Sequence, residues 1–317
     1  MNSRRPGSVV IREVGPRDGF QNEPEVIATA DKIRLIESLG RAGLTRIEVA
    51  SFVRSDVIPQ LSDGVDVLKG VRLPTSVSRA VLIPNSKGLD NALAVREYFD
   101  EASIFVSASE THNRNNINRT VEQTMADDRA MAGRILDAGL TLDAVIATSF
   151  GCPYEGRIPL DRVLGLAERF AEMGATEIGF GDTTGMANPA YVSDFFGAAS
   201  ERLPGVELTA HFHNTRGQGL TNAYAALEAG CASFESSFGE LGGCPVPAGS
   251  TGNIATEDLV SMFEEMGVDT GVDLNLIIDA AREAQTTLGR KLTSHSILAG
   301  PVDWTGALGG QGASVGA

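Results

Sequence analysis

Short apolar runs rich in Val, Ile, Phe and Thr recur along the whole chain. They fall at Val9–Val14, Arg46–Ser51, Ser78–Ile83, Ser103–Ser107, Ala144–Ser149, Glu177–Gly181, Glu207–His213 and Ser233–Ser237, and each predicts a strand. Between them the apolar spacing becomes helical, over Ala30–Ala42, Asp63–Lys69, Leu89–Phe99, Thr120–Ala138, Leu160–Met173, Ala190–Arg202, Gly219–Ala229 and Glu257–Met266. Several of these helices stop at glycine, as at Gly43, Gly139, Gly174 and Gly230. Strand and helix in strict alternation predict βα units and a parallel sheet. An open doubly wound sheet usually has fewer strands and often a glycine-rich phosphate turn after the first. Here that turn is Gly15-Pro-Arg-Asp-Gly19, which lacks the required spacing. Eight units in about 260 residues instead predict a (β/α)8 barrel.

A further helix, Leu274–Leu288, follows the eighth unit, and no linker-like break interrupts the pattern. The expected organisation is a flexible N-terminus over residues 1–7 and a barrel with its C-terminal helix over 8–292. A C-terminal segment follows over 293–317, Gly/Ala/Ser-rich and expected to be mobile at its end.

Composition narrows the function classes. The 317 residues carry 26 Lys+Arg against 41 Asp+Glu, a formal net charge of −15, which argues against a nucleic-acid or anionic-membrane surface. A phosphorylated ligand stays open, because it needs only a few local donors. The three cysteines, Cys152, Cys231 and Cys244, form no CxxC pair and fit a reducing compartment. With no signal-like N-terminus and no membrane-length apolar window, the expected location is cytoplasmic.

In such a barrel, chemistry sits at the C-terminal ends of the strands. Arg17 and Asp18 follow the first strand, Glu48 lies on the second, Asp182 ends the sixth, and His211-Phe-His213 closes the seventh. Positions i and i+2 of a strand share a face, so His211 and His213 both point to the barrel axis. Two of the chain's four histidines on one side, with a carboxylate arriving from the first strand, make a divalent-cation site. Oxygen donors such as Asp18 and Asn253 would complete the shell, which favours Mg²⁺ or Mn²⁺ over structural Zn²⁺. Two hydrogen-bonded core histidines are the alternative. Glu48 needs a partner inside the barrel, and Arg17 or a metal-bound water would serve. Asp182, in Gly181-Asp-Thr-Thr-Gly185, fits either a turn or a site role. Cys231 reads as a small buried hydrophobe and Cys152 as a loop residue, whereas Cys244 lies in a glycine-flanked loop suited to an accessible thiol.

These segments resemble hydroxymethylglutaryl-CoA lyase, a metal-dependent barrel lyase family. The resemblance is carried by Glu13-Val-Gly-Pro-Arg-Asp-Gly-Phe-Gln-Asn-Glu23, Ile47-Glu-Val-Ala-Ser-Phe52, Gly151-Cys-Pro-Tyr-Glu-Gly156, Gly181-Asp-Thr-Thr-Gly185, His211-Phe-His213, Leu241-Gly-Gly-Cys-Pro245 and Gly252-Asn-Ile-Ala-Thr-Glu-Asp258. It implies cleavage of 3-hydroxy-3-methylglutaryl-CoA to acetoacetate and acetyl-CoA. It implies a cation on Asp18, His211, His213 and Asn253, with Asp18 or His211 as base. Arg17 would stabilise the enolate oxygen, Cys244 would protonate the enolate carbon, Glu48 would orient Arg17 or the substrate, and Gln21 and Asp182 would support the site. Lys87 and Arg114 are the cations expected to meet CoA phosphates. A homo-oligomer, most simply a dimer, is expected on the same resemblance.

The chain departs from the family pattern at Pro24, at Asn214-Thr-Arg-Gly217, at His112 and Arg114, and at Pro245-Val-Pro-Ala-Gly249. None of these touches the expected ligands or the thiol, but all bear on the acyl pocket. They leave open an isohexenylglutaryl- or citramalyl-type substrate for the same chemistry. A Claisen-condensing synthase is less consistent, since such enzymes usually carry a long C-terminal extension and lack the Gly-Gly-Cys-Pro loop. A non-catalytic barrel would be expected to have lost a ligand or the thiol.

Overall fold

The computed structural model describes residues 5–243 and 252–305. Eight parallel strands close into a barrel in sequence order: β1 (Val10–Glu13), β2 (Arg46–Ser51), β3 (Ser78–Leu82), β4 (Glu101–Ser107), β5 (Thr141–Ala147), β6 (Glu177–Asp182), β7 (Glu207–Phe212) and β8 (Ser233–Ser236). β8 returns to pair with β1, Val10 opposite Ser233 through Glu13 opposite Ser236, so no sheet edge is left exposed. The predicted (β/α)8 fold is the observed one.

Helices cover the outside because each strand offers them an apolar file. On β5 the outward residues Leu142, Ala144 and Ile146 are fully buried. The following helix, Leu160–Glu172, turns Val163, Leu164, Ala167 and Phe170 inward at helical spacing. Among the described residues no helix is long and apolar enough to cross a membrane.

Three local differences from the sequence reading have identifiable causes. The helix expected over Leu89–Phe99 runs instead from Ser86 to Leu93, because Asn85 Oδ1 caps it by accepting from Gly88 N at 2.9 Å. Helix Glu110–Ile117 was not anticipated, since it buries only Asn113 and so has no apolar stripe to betray it. A short helix, His295–Ala299, lies in the C-terminal segment, where no helix was expected. It is held there by Asp258, which accepts from His295 N at 3.0 Å and Ser296 N at 2.7 Å.

β4 and β5 start earlier than their apolar runs because Glu101 and Asp143 point into the barrel rather than preceding it. They belong to a buried charged layer. Arg46 Nε donates to both Glu101 oxygens at 2.9 and 2.7 Å and Arg46 NH2 lies 3.2 Å from Asp143 Oδ2. Arg12, fully buried, pairs with Glu101 at 3.2 Å and Asp143 at 3.3 Å, and also with Glu177. Burial, only partly offset by Arg46, pushes Glu101 up to about 7 and Asp143 up to about 6. Three carboxylates close enough to hold a metal thus have guanidinium groups between them instead.

Candidate active site

Above the charged layer the inward file opens to solvent at the C-terminal ends of the strands, and the predicted residues gather there. The chain leaves β1 through a single π-helical turn, Gly15–Gly19, which carries Arg17 and Asp18. Arg17 Nε donates to Glu48 Oε2 at 2.6 Å and Arg17 NH1 to Asp18 Oδ1 at 2.8 Å. Glu48, nearly fully buried on β2, therefore has the guanidinium partner that its position demanded. Burial, eased by Arg17, still pushes its carboxyl up to about 7.

Asp18 is the hub. Gln21 Nε2 donates to its Oδ1 and Asn253 Nδ2 to its Oδ2, both at 2.7 Å. Burial would raise its pKa, but Arg17, His211, His213 and the Asn253 hydrogen bond together hold it below the usual carboxylate range. Asp18, His211 and His213 each present one ligating atom within 4.8 Å of the others, and the imidazole centroids are 5.1 Å apart. This convergence is the arrangement that a cation site would use.

Asn253 reaches the cluster by backbone pairing that the sequence pattern did not disclose. Asn214 N donates to Gly252 O and Ile254 N to Phe212 O, both at 3.0 Å, so residues 252–254 lie alongside the end of β7 and put Asn253 opposite His213. The approach is close enough to require glycine at 252, where a Cβ would stand 1.9 Å from Glu240 O. Asn253 is fully buried, and its Oδ1 has no hydrogen-bond partner. An orphaned buried acceptor beside a carboxylate and two imidazoles fits a hard divalent cation, so the residues present suit the predicted ion.

Asp182 has the turn role that its sequence suggested. One oxygen closes the turn after β6, accepting from Met186 N at 2.7 Å and Ala187 N at 3.0 Å, while Oδ2 has no partner. Burial pushes this carboxyl up to about 7. Asn214 keeps its hydrogen-bonding role, donating from Nδ2 to Glu240 Oε1 at 2.7 Å. Cys244 lies outside the described residues. The other two cysteines are buried, and desolvation pushes Cys231 up to about 12, as expected of an inert thiol.

The two cations assigned to CoA lie on the helices that follow β3 and β4. Lys87 is exposed in the first turn of helix Ser86–Leu93, and Arg114 Nε donates to Glu110 Oε1 at 3.0 Å one helical turn away.

Sequence reasoning missed the wall opposite the ligands. On β3, β4 and β5 the inward residues Leu82, Phe105, Val145 and Ala147 are only partly buried, although their outward neighbours are sealed. Together they form a partly exposed apolar face inside the barrel mouth. At its rim His112 Nδ1 is 3.1 Å from Ser107 Oγ, which is 2.8 Å from Thr148 Oγ1. Burial lowers the His112 pKa, so this imidazole is neutral near pH 7. The available signal was period-2 alternation, which puts 105 and 145 on the face of Glu101 and Asp143.

A closed barrel whose mouth joins a carboxylate, two imidazoles and a carboxamide beside an apolar wall has the form of a barrel enzyme with a candidate metal site. The HMGL-like family model matches residues 8–283. The chain is 45% identical over 292 residues to the hydroxymethylglutaryl-CoA lyase of Bacillus subtilis, covering 92% of this chain and 97% of that protein. It is 39% identical over 306 residues to the (R)-citramalyl-CoA lyase of Chloroflexus aurantiacus, covering 93% and 96%. A solved hydroxymethylglutaryl-CoA lyase from Acinetobacter baumannii, in complex with coenzyme A and 3-methylmalate, superposes with a TM-score of 0.89 at 40% identity over 95% of this chain and 97% of that one. The chain belongs to the HMGL-like family and is a carbon–carbon lyase.

Proposed function

We propose that the chain cleaves 3-hydroxy-3-methylglutaryl-CoA to acetoacetate and acetyl-CoA, using Mg²⁺ or Mn²⁺. The observation that carries this reading is the convergence of Asp18, His211 and His213 beside the orphaned Asn253 Oδ1. When bound, the cation supplies Lewis acidity toward the substrate's hydroxyl and carboxylate oxygens.

The chain's own residues supply the rest. His211 is hydrogen-bonded through Nδ1 to Glu235, and Asp18 and His211 are the two groups of the cluster placed to accept the hydroxyl proton. The C3–O bond becomes a ketone as the C2–C3 bond breaks, and the electron pair moves into the thioester as an enolate. Arg17, fixed by Glu48 and Asp18, meets the developing enolate oxygen with a preorganised donor. Cys244 delivers a proton to the enolate carbon. Support for this comes from Gly242, where the loop leading to Cys244 passes so close that a Cβ would lie 2.7 Å from Asn253 Nδ2. Lys87 and Arg114 meet the CoA phosphates at the rim, and the active species is a homo-oligomer.

The apolar wall of Leu82, Phe105, Val145 and Ala147 suits the methyl-bearing side of a tertiary substrate. The similarity to a citramalyl-CoA lyase favours a second acyl group for the same chemistry. One assay separates the readings: purified protein with Mn²⁺ or Mg²⁺, a reductant and either 3-hydroxy-3-methylglutaryl-CoA or citramalyl-CoA, against an EDTA control. EDTA-sensitive release of acetoacetate and acetyl-CoA at about 1 per second or faster supports the first reading. Turnover of citramalyl-CoA alone supports the second.

A further inference from the structure

Glu235 is the inward residue of β8 between the charged layer and the cation cluster, and its carboxylate joins the two. Oε2 is 2.9 Å from His211 Nδ1. Oε1 is 4.0 Å from Arg12 Nε and 3.9 Å from Arg46 NH1. The side chain is 7% exposed, so its charge rests on the His211 hydrogen bond and on the guanidinium groups around it.

The consequence for His211 follows from donor and acceptor chemistry. An ionised carboxylate only accepts, so the hydrogen of a neutral His211 must sit on Nδ1. The lone pair is then on Nε2, the nitrogen left for Asp18, His213 and whatever they bind. A ring tethered at Nδ1 is also fixed in angle. A plug made only for stability would not need to end on a ligand, and well-packed apolar side chains would fill the same volume at least as well.

We propose that Glu235 is a positioning residue for the cation site: it selects the Nδ1–H tautomer of His211 and fixes the ring, with Arg12 and Arg46 holding the Glu235 carboxylate in turn. This rests on the cation reading above but not on the identity of the acyl group. It also gives the charged layer inside the barrel a role in binding.

The test uses the full chain stripped of metal and no substrate. Mn²⁺ binding is followed by electron paramagnetic resonance for the unaltered protein, Glu235→Gln and Glu235→Ala, with circular dichroism to establish folding. Imidazole ¹⁵N shifts report the His211 tautomer. The unaltered protein is expected to show one tautomer, and Glu235→Ala a mixture with Mn²⁺ affinity about 10–100-fold weaker. Glu235→Gln, which keeps an acceptor for Nδ1–H without the charge, is expected to retain the tautomer and to lose affinity at the lower end of that range. A folded Glu235→Ala that binds Mn²⁺ as tightly as the unaltered chain overturns the proposal, and so does an unaltered protein whose His211 hydrogen sits on Nε2, a readout that stands even if Glu235→Ala fails to fold. An unaltered protein that binds no Mn²⁺ overturns it together with the cation reading. If Mn²⁺ binds but neither acyl-CoA is cleaved, the substrate reading alone fails, and the affinities still decide the role of Glu235.

Discussion

Asn253 Nδ2 donates to Asp18 Oδ2 at 2.7 Å, a bond that joins residues 235 positions apart and closes the cluster across the barrel mouth. It leaves the carboxamide oxygen of Asn253 as a buried acceptor without a partner. Asn253→Ala removes both the donor that helps to keep Asp18 ionised and the acceptor suited to a cation. Cation affinity is expected to fall about tenfold or more, with turnover falling alongside. Titrating Mn²⁺ into the apoprotein and measuring activity against Mn²⁺ concentration checks both effects.

Arg17 has a different signature, because it is held by carboxylates but assigned to the enolate oxygen. Arg17→Gln is expected to lower kcat by about 10²–10³-fold, the usual loss for one oxyanion donor. Mn²⁺ affinity should change much less than kcat, and equal losses in both would move Arg17 into the binding machinery.

Position 252 tolerates no side chain, since a Cβ there would sit 1.9 Å from a backbone oxygen. Gly252→Ala must push residue 252 away from the Glu240 carbonyl and shift the neighbouring Asn253 with it. The expected result is a folded barrel with strongly weakened Mn²⁺ binding. Circular dichroism together with a metal titration reads the two separately.

The pH dependence of stability follows from Glu13 and Glu257, both fully buried. Burial pushes Glu13 up to about 8, against hydrogen bonds from Thr256 Oγ1 at 2.7 Å and Gly15 N at 2.7 Å, and pushes Glu257 up to about 7. Their folded values lie above the ordinary 4.5, so between those limits the native state binds more protons than the unfolded chain. Stability from these groups is present below pH 4.5 and is lost as pH rises through about 8. Glu13→Gln keeps an acceptor and removes the ionisation. Relative to the unaltered chain, its melting temperature should therefore rise as pH goes from 5 to 9, by a few degrees. Parallel curves for the two proteins would contradict the assignment.

Val145 tests the apolar wall. Enlarging it to Phe narrows the barrel mouth on the side away from the ligands, and kcat/KM for a tertiary 3-hydroxyacyl-CoA is expected to fall about tenfold or more. Mn²⁺ affinity in the absence of substrate should be unchanged.

The fold was legible because its signal is local. A period-2 file on each strand and an apolar stripe on most helices appear in order along the chain, and short βα connections leave one closed parallel arrangement. The pair His211 and His213 was legible for the same reason, since strand geometry alone sets both on one face. Helix Glu110–Ile117 was not, because a helix that buries a single asparagine leaves no periodic trace. The starts of β4 and β5 were also hidden, because Glu101 and Asp143 look like solvent-facing residues until Arg12 and Arg46 are found beside them.

By itself, then, the sequence determined the eight βα repeats, the inward direction of the two imidazoles and a set of candidate residues for the chemistry. Only the tertiary structure decided which of those residues meet. Asn253 joins Asp18 because a three-residue stretch pairs with the end of β7, Arg17 turns to Glu48 because a π turn follows β1, and Glu235 sits under His211 because β7 and β8 share a register in which the two are opposed. Each of these contacts depends on barrel closure, which brings together residues far apart in the chain and excludes the water that would otherwise compete for their hydrogen bonds. A pattern of neighbouring residues carries no record of such an event.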